Sequence, residues 1–297
     1  MELRVLQYFL AVAREQSISG AAQSLHLTQP TLSRQMKELE TELGKQLMIR
    51  GSRKVTLTPE GMILRKRAEE ILNLVGRTQQ EITGPKDTVS GEIYIGAGET
   101  QGFRHIARLA RNLQKEYPGI RFQMVSGDIS EICEQLDKGL LDFGLLLGEM
   151  DKSRYCFREM PVRDTWGVLM RKDSPLAQKE GITPQDLWDK PLILSRQMEN
   201  KGALYRWLGR EPAQLTTVAT YNLIYNASLM VEEGMGYAFS LDGLVNMTRN
   251  SLVFRPLAPR LELGMNLAWK KSQVFSKAAA LFLERLEKEL PRWEEKS

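Results

Sequence analysis

The stretch from Ile18 to Glu42, ISGAAQSLHLTQPTLSRQMKELETE, constrains this chain more than any other. It reads as two short helices meeting at a tight turn. Ile18, Ala21, Ala22 and Leu25 give the first a small apolar face, and its two alanines let a second helix cross closely. Thr28 suits the N-cap of the second helix. Pro30 suits its first turn, where a missing N–H leaves no hydrogen bond unmade. Leu32, Met36, Leu39 and Leu43 follow at steps of four, three and four, so they should face a core. The opposite face carries Gln29, Thr31, Ser33, Arg34 and Lys37. These are short or fork-shaped donors and acceptors, the types that read base edges and phosphates in a major groove. An ordinary helical hairpin with a solvated polar face has the same pattern, so the neighbouring segments decide.

Those neighbours are basic. Between residues 45 and 67, seven cations (Lys45, Arg50, Arg53, Lys54, Arg65, Lys66, Arg67) stand against one acid, Glu60, a local net of +6 in a chain whose whole net charge is +4. Such a patch beside a helix-turn-helix is the electrostatic footprint of a DNA-binding module. Upstream, Leu3 to Arg14 reads as a supporting helix with Leu3, Leu6, Leu10 and Ala13 on one face and Phe9 beside it. Downstream of Gly44, a helix stop, QLMIRGSRKVTLT reads as a hairpin about Gly51-Ser52, with Arg50, Arg53 and Lys54 at or near its tip. A basic hairpin beside a recognition helix is a wing, placed to reach phosphates or the minor groove. The DNA-contacting set read in this region is Ser19, Gln29, Pro30, Thr31, Ser33, Arg34, Lys37, Arg50, Arg53 and Lys54.

Thr58-Pro59-Glu60 then opens a long helix. Gly61, Leu64, Ala68, Ile71, Val75, Thr78 and Ile82 make one narrow stripe along it, which calls for a partner helix. A coiled coil between subunits is expected, with Leu64, Ala68, Ile71, Val75 and Ile82 in the seam. The alternative is a helix lying on its own domain. Gly84-Pro85 ends the helix, and Lys86 to Ser90 reads as a linker.

With 297 residues, 42% hydrophobic and 26% charged, the chain has ample material for about two globular domains. No run approaches the ~20 apolar residues of a membrane span. The N-terminus lacks a signal-peptide core, so a cytoplasmic protein is expected. Cys133 and Cys156 are too few for a disulfide framework and read as buried, inert thiols. Two histidines, His26 and His105, exclude a histidine-rich metal site. There is no nucleophile elbow, no P-loop and no zinc-protease motif, so no enzyme chemistry is expected. Gly96, Gly98 and Gly102 imitate a dinucleotide fingerprint, but their spacing is one residue too long. No cofactor is expected. The glycines instead would let a ligand approach the N-terminus of the next helix, whose N–H groups favour an anion.

From Gly91 the pattern changes to strands alternating with helices, which implies an open α/β sheet. GEIYIGA, IRFQMVS and LDFGLLLG read as strands, with helices through Phe103 to Tyr117 and through Ile132, Leu136 and Leu140. A second series begins with strands at 165–171 and 191–195, a helix from Leu223 to Glu233, and strands at Tyr237 to Ser240 and Leu261 to Lys271. A final helix carries Phe275, Ala279, Phe282 and Leu286.

Residues 21–61, AAQSLHLTQPTLSRQMKELETELGKQLMIRGSRKVTLTPEG, resemble the LysR-type transcriptional regulators, and the order of segments resembles theirs over essentially the whole chain. Met48 stands where that family usually has phenylalanine. The resemblance implies a winged helix-turn-helix (1–58), a linker dimerisation helix (59–84), a hinge (85–90) and an effector-binding domain (91–297). That domain would be two α/β lobes like a periplasmic binding protein, joined by crossing strands: lobe I about 91–162 and 266–297, lobe II about 163–265. The implied partners are double-stranded DNA, a second copy of the chain in a dimer or tetramer, and a small-molecule effector bound between the lobes. Thr100, Gln101, Ser195, Arg196 and Thr220 would line that cleft. Arg196 suits an anion, Glu99 opposes one, and an amino-acid-like ligand would satisfy both. The competing readings are a small-molecule binding protein without a regulatory role and a non-specific architectural DNA binder.

Overall fold

The computed structural model describes residues 1–51, 54–83, 89–148, 150–196, 203–248 and 251–294. The chain divides into two units, Met1–Gly84 and Pro85–Ser297.

In the first unit, α1 (Leu3–Glu15), α2 (Ile18–Ser24) and α3 (Gln29–Leu43) enclose one apolar core. Of the residues expected on the inner face of α1, Leu6 and Phe9 are buried, whereas Leu3 is exposed, Leu10 and Ala13 are half-buried, and Ala11 and Val12 are buried instead. Its middle, VLQYFLAVA, is apolar over more than half its circumference, so several stripes fit the sequence. Phe9, the largest fully buried side chain of α1, takes the centre with no exposed surface. Ala21 and Ala22 are buried at the crossing with α3, as their size predicts. Leu32, Met36 and Leu39 are buried, but Leu43 is 41% exposed, because the last turn projects past the core before Gly44 ends the helix at φ 63°. Thr28 holds the N-cap position of α3 without capping it: its hydroxyl pairs with that of Thr31 at 2.8 Å.

The wing is β1 (Met48–Arg50) against β2 (Val55–Leu57), antiparallel, with Ile49 opposite Thr56. Its tip residue Arg53 lies outside the described residues. Glu40 of α3 anchors the wing by accepting from the Leu47 and Met48 amides at 2.8 and 3.2 Å. The long helix α4 (Pro59–Thr83) starts where Thr58 Oγ1 accepts from the Gly61 amide at 3.0 Å. A Cβ at Gly61 would lie 2.0 Å from the Leu47 carbonyl oxygen, so only glycine lets α4 pass this close to the wing.

The second unit is built on one nine-stranded sheet in the order β4-β3-β5-β11-β6-β9-β7-β8, with β10 also beside β6. The first half holds β3 (Gly91–Ala97), β4 (Ile120–Ser126) and β5 (Phe143–Leu147), all parallel. The second half holds β7 (Pro191–Ser195), β8 (Thr216–Tyr221) and β9 (Tyr237–Leu241), also parallel. Two antiparallel stretches join the halves: β6 (Tyr155–Arg171), and the returning β10 (Leu252–Pro256) and β11 (Glu262–Lys270) alongside it. These are the crossing strands that the family resemblance implies. The strand expected at 165–171 is thus the end of a 17-residue one. Its earlier part mixes charged and apolar residues because it crosses between the lobes.

The helices are α5 (Phe103–Glu116), α6 (Ile129–Asp137), α7 (Ala203–Leu208), α8 (Ile224–Glu232) and α9 (Lys277–Glu294). Helix α6 stops before Leu140, which the sequence pattern had included. Phe275 precedes α9 but still stacks on Phe143, ring centroids 5.0 Å apart. Ala278, Ala279, Phe282 and Leu286 bury the apolar face of α9 in the core of the first half.

Candidate nucleic-acid interface and effector cleft

The α3 face opposite Leu32, Met36 and Leu39 is displayed. Gln29, Pro30, Thr31, Arg34 and Lys37 are exposed, as is Ser19 at the start of α2. Ser33 is half-buried, because Arg50 reaches across from the wing and donates to its hydroxyl at 3.0 Å. One hydrogen bond thereby joins two elements that the sequence suggested as separate contact sites. Arg34 lies 3.6 Å from Glu38, one turn on, with both side chains mostly exposed. Such a pair holds by well under ~1 kcal/mol, so the guanidinium can turn to a phosphate or base. Lys54 is exposed too. The basic patch is weaker than its +6 suggests, since Arg65 pairs with Glu69 at 3.1 Å and Arg67 with Glu70 at 2.7 Å.

Along α4 the expected seam is divided. Leu64 packs on the module's own core and Ala68 has no exposed surface. Ile71 and Val75 are half-buried and Ile82 is 78% exposed, which leaves the C-terminal half of the helix with unpartnered apolar surface.

In the second unit, the loop after β3 meets both halves of the sheet. Thr100 is buried and donates its hydroxyl to Asp164 of β6. Its oxygen also accepts from the Gly102 amide at 2.9 Å. Burial pushes the Asp164 carboxyl above its ordinary range; the Thr100 hydroxyl opposes this shift and nearby Asp242 adds to it. Gln101 donates its side-chain amide to the Gly243 carbonyl, just past β9. Glu99 accepts from the Ile224 amide at 2.5 Å, so its carboxylate sits on the N-terminus of α8. Three consecutive residues, Glu99, Thr100 and Gln101, thus close the first half of the sheet onto β6 and the second half.

The remaining cleft residues differ among themselves. Ser195, at the end of β7, is buried; Arg196 and Thr220 are exposed, with Thr220 opposite Leu194 in the β7–β8 register. No Arg196–Glu99 ion pair forms among the described residues. The donor cluster expected at the start of α5 is already engaged: the Phe103, Arg104 and His105 amides donate to the carbonyls of residues 100, 101 and 102. Nor do Gly96 and Gly102 leave room for a ligand. A Cβ at Gly96 would strike Leu141 and Ile132, and one at Gly102 would strike Met265. They are required by close packing of the chain on itself. The sequence reading missed Asp164, Asp242 and the placement of Glu99, since no local pattern marks a residue whose partner is more than sixty positions away.

Cys133 and Cys156 are free and half-buried, and burial pushes the Cys133 thiol up, away from a reactive thiolate. Among the described residues, no helix is long and apolar enough to cross a membrane.

Comparison with known proteins follows the same division. The LysR-family bacterial regulatory helix-turn-helix model matches residues 3–62, and the LysR substrate-binding domain matches 86–291. An uncharacterized HTH-type transcriptional regulator of Bacillus subtilis, YvbU, is 29% identical over 291 residues, 96% of this chain and 97% of its own. BsdA, another HTH-type regulator of Bacillus subtilis, is 31% identical over 204 residues, 68% of this chain and 69% of its own. The dual regulator OxyR of Escherichia coli is 32% identical over 195 residues, 65% of this chain and 63% of its own length. In three dimensions, CbnR with its target DNA aligns at TM-score 0.74 and 20% identity, covering 99% of this chain and 100% of CbnR. The chain belongs to the LysR family of bacterial helix-turn-helix transcriptional regulators, with a DNA-binding module followed by a LysR substrate-binding domain.

Proposed function

We propose that this regulator reads duplex DNA with α3 and the wing, pairs with a second copy through α4, and responds to a small effector held between the two halves of its sheet. The observation that carries this reading is the displayed face of α3, backed by buried Leu32, Met36 and Leu39 and tied to the wing by Arg50 and Ser33. The residues assigned to DNA are Ser19, Gln29, Pro30, Thr31, Ser33, Arg34, Lys37, Arg50, Arg53 and Lys54. In this reading 1–58 is the DNA-binding module, 59–84 the pairing helix, 85–90 the hinge and 91–297 the effector domain. Ile71, Val75 and Ile82 carry the pairing surface into a dimer or tetramer. The protein acts in the cytoplasm as a regulator, not an enzyme. The DNA in the CbnR complex supports the first assignment by fold.

Thr100, Gln101, Ser195, Arg196 and Thr220 are assigned to the effector. Glu99 constrains its chemistry: a carboxylate already occupies the helix end that would attract an anion, so an anionic effector must displace it. An amino-acid-like ligand meets that condition through its ammonium group, which can pair with the released Glu99.

The deciding experiment is Arg34→Ala in the full-length chain, tested by gel shift at fixed salt on a duplex selected from a random pool. A lost specific contact lowers affinity by about 1–3 kcal/mol. Affinity equal to the parent's would refute the recognition-helix assignment.

A further inference from the structure

The loop of Glu99, Thr100 and Gln101 gathers three carboxylates at one corner of the cleft. Glu99 sits on the N-terminus of α8, accepting from the Ile224 amide at 2.5 Å. Asp164 of β6 accepts from the Thr100 hydroxyl. Asp242 follows β9. Its amide donates to the carbonyl of Thr165, the neighbour of Asp164 on β6, at 3.0 Å, and its own neighbour Gly243 is held by Gln101.

Among the described residues no cation neutralises these three. Asp164 is only 7% exposed, yet its second oxygen accepts from no donor there and no Lys or Arg pairs with it. The cations around the corner are engaged elsewhere or stand apart. Arg104 donates to Gln101 Oε1 at 2.5 Å. Arg260 donates to the Thr165 hydroxyl at 2.8 Å and lies 3.2 Å from Glu262. Arg196 is exposed just past β7. A carboxylate is rarely buried without a cation, because its lost hydration is then uncompensated. Burial and the Asp242 charge accordingly hold the Asp164 carboxyl above its ordinary range, and a cation beside the two would offset both causes.

We propose that the effector is a basic amino acid, whose side-chain cation seats against Asp164 and Asp242. This rests on the assignment of the cleft to an amino-acid-like ligand and deepens it: the α-ammonium meets Glu99, the carboxylate meets Arg196, and the side-chain cation supplies the missing charge. Three carboxylates against Arg196 leave the corner short of positive charge. A zwitterion without net charge does not supply it. The hydroxyls of a sugar would bond the oxygens but leave the like charges facing each other.

L-Lysine and L-arginine are the probes, titrated calorimetrically into the full-length chain, with L-norleucine as lysine without its side-chain ammonium. L-Lysine should bind more tightly than L-norleucine by about tenfold, the usual worth of a charged hydrogen bond. Asp164→Asn and Asp242→Asn should each weaken L-lysine by about that factor and leave L-norleucine unchanged. Asp242 is exposed, so its variant reports even where Asp164→Asn disturbs the fold. Thr100→Val should weaken both ligands. If L-norleucine matches L-lysine, or both Asn variants bind L-lysine as the parent does, the cationic end is refuted while the cleft stands. If neither basic amino acid binds, the proposal is likewise overturned, and sodium succinate then tests the cleft itself: succinate binding that Thr100→Val removes keeps the cleft with the opposite charge preference. L-Lysine binding that Thr100→Val leaves intact overturns both readings.

Discussion

The two functional regions use polar side chains in opposite ways. In the N-terminal module they point outward from a small core: Gln29, Thr31, Arg34 and Lys37 are exposed, and their internal partners are few and weak. In the effector domain the loop of Glu99, Thr100 and Gln101 points inward and is bonded on every member. A surface that must meet a long, charged and always-available partner can stay open, since solvent satisfies it meanwhile. A cleft that waits for a small ligand encloses its polar groups, and enclosed polar groups need partners of their own. On the proposed assignment of this loop to the effector, a ligand would have to exchange these hydrogen bonds for its own.

If that contrast holds, stability should reside in different places in the two units, and the tryptophans allow them to be read apart. All five lie beyond residue 84, so indole fluorescence reports the effector domain alone. The largest effect should come from Phe282→Ala. Phe282 has no exposed surface and meets Phe143 and Phe122 with ring centroids at 5.0 and 6.0 Å. Its truncation should destabilise by about 3–5 kcal/mol in urea unfolding followed by fluorescence. Leu43→Ala is the contrasting case in the module, and at 41% exposure it should change stability little. A costly Leu43→Ala would mean that the end of α3 is covered by something other than its own core.

Gly61→Ala should come next, at about 1–3 kcal/mol, because a methyl 2.0 Å from the Leu47 carbonyl forces α4 away from the wing. Helical circular dichroism should fall at lower urea while the fluorescence transition stays put. Coincident shifts in both signals would show that the two units unfold together.

How much of this was legible in the sequence follows the same line. The module was legible because its signals are local: Leu32, Met36 and Leu39 repeat at helical spacing, and the polar face lies between them. Errors there came from apolar excess, as in α1, where several stripes were available and Phe9 selected one. The alternating α/β order was legible for the same reason. The cleft was not, because its bonds join residues 64, 125 and 142 positions apart. The strand β8, TTVATY, is rich in strand-forming Thr, Val and Tyr but was missed because four of its six residues are exposed at the sheet edge, so it lacks the apolar run or alternation that marks a buried strand.

A smaller effect should follow Glu99→Gln. The carboxylate accepts from the Ile224 amide at the start of α8, and a neutral amide accepts more weakly at a helix N-terminus. A loss of about 1 kcal/mol in the fluorescence-detected transition is expected. An unchanged midpoint would mean that the bond contributes nothing to closure, and the inward-bonded cleft would lose one of its three ties.

The smallest effect, and the most specific, concerns Asp164. Its carboxyl is raised above the ordinary 3.8 by burial, so the folded protein holds this proton more tightly than the unfolded chain does. The folded state is therefore favoured at low pH, and the contribution is lost as pH rises from the unfolded value through the raised folded one. Above that window the folded protein carries the full cost of a buried carboxylate, partly offset by the Thr100 hydroxyl. Asp164→Asn removes the titration but keeps an oxygen that can accept from Thr100. The variant should gain stability relative to the parent as pH rises from about 4, the difference levelling off once Asp164 is ionised in both states. Fluorescence-detected urea midpoints from pH 4 to 8 measure that difference, since the titrations common to both proteins cancel. A difference that does not change with pH would show that Asp164 is as well solvated as a surface carboxylate, and that the floor of the cleft is open to water like the face of α3.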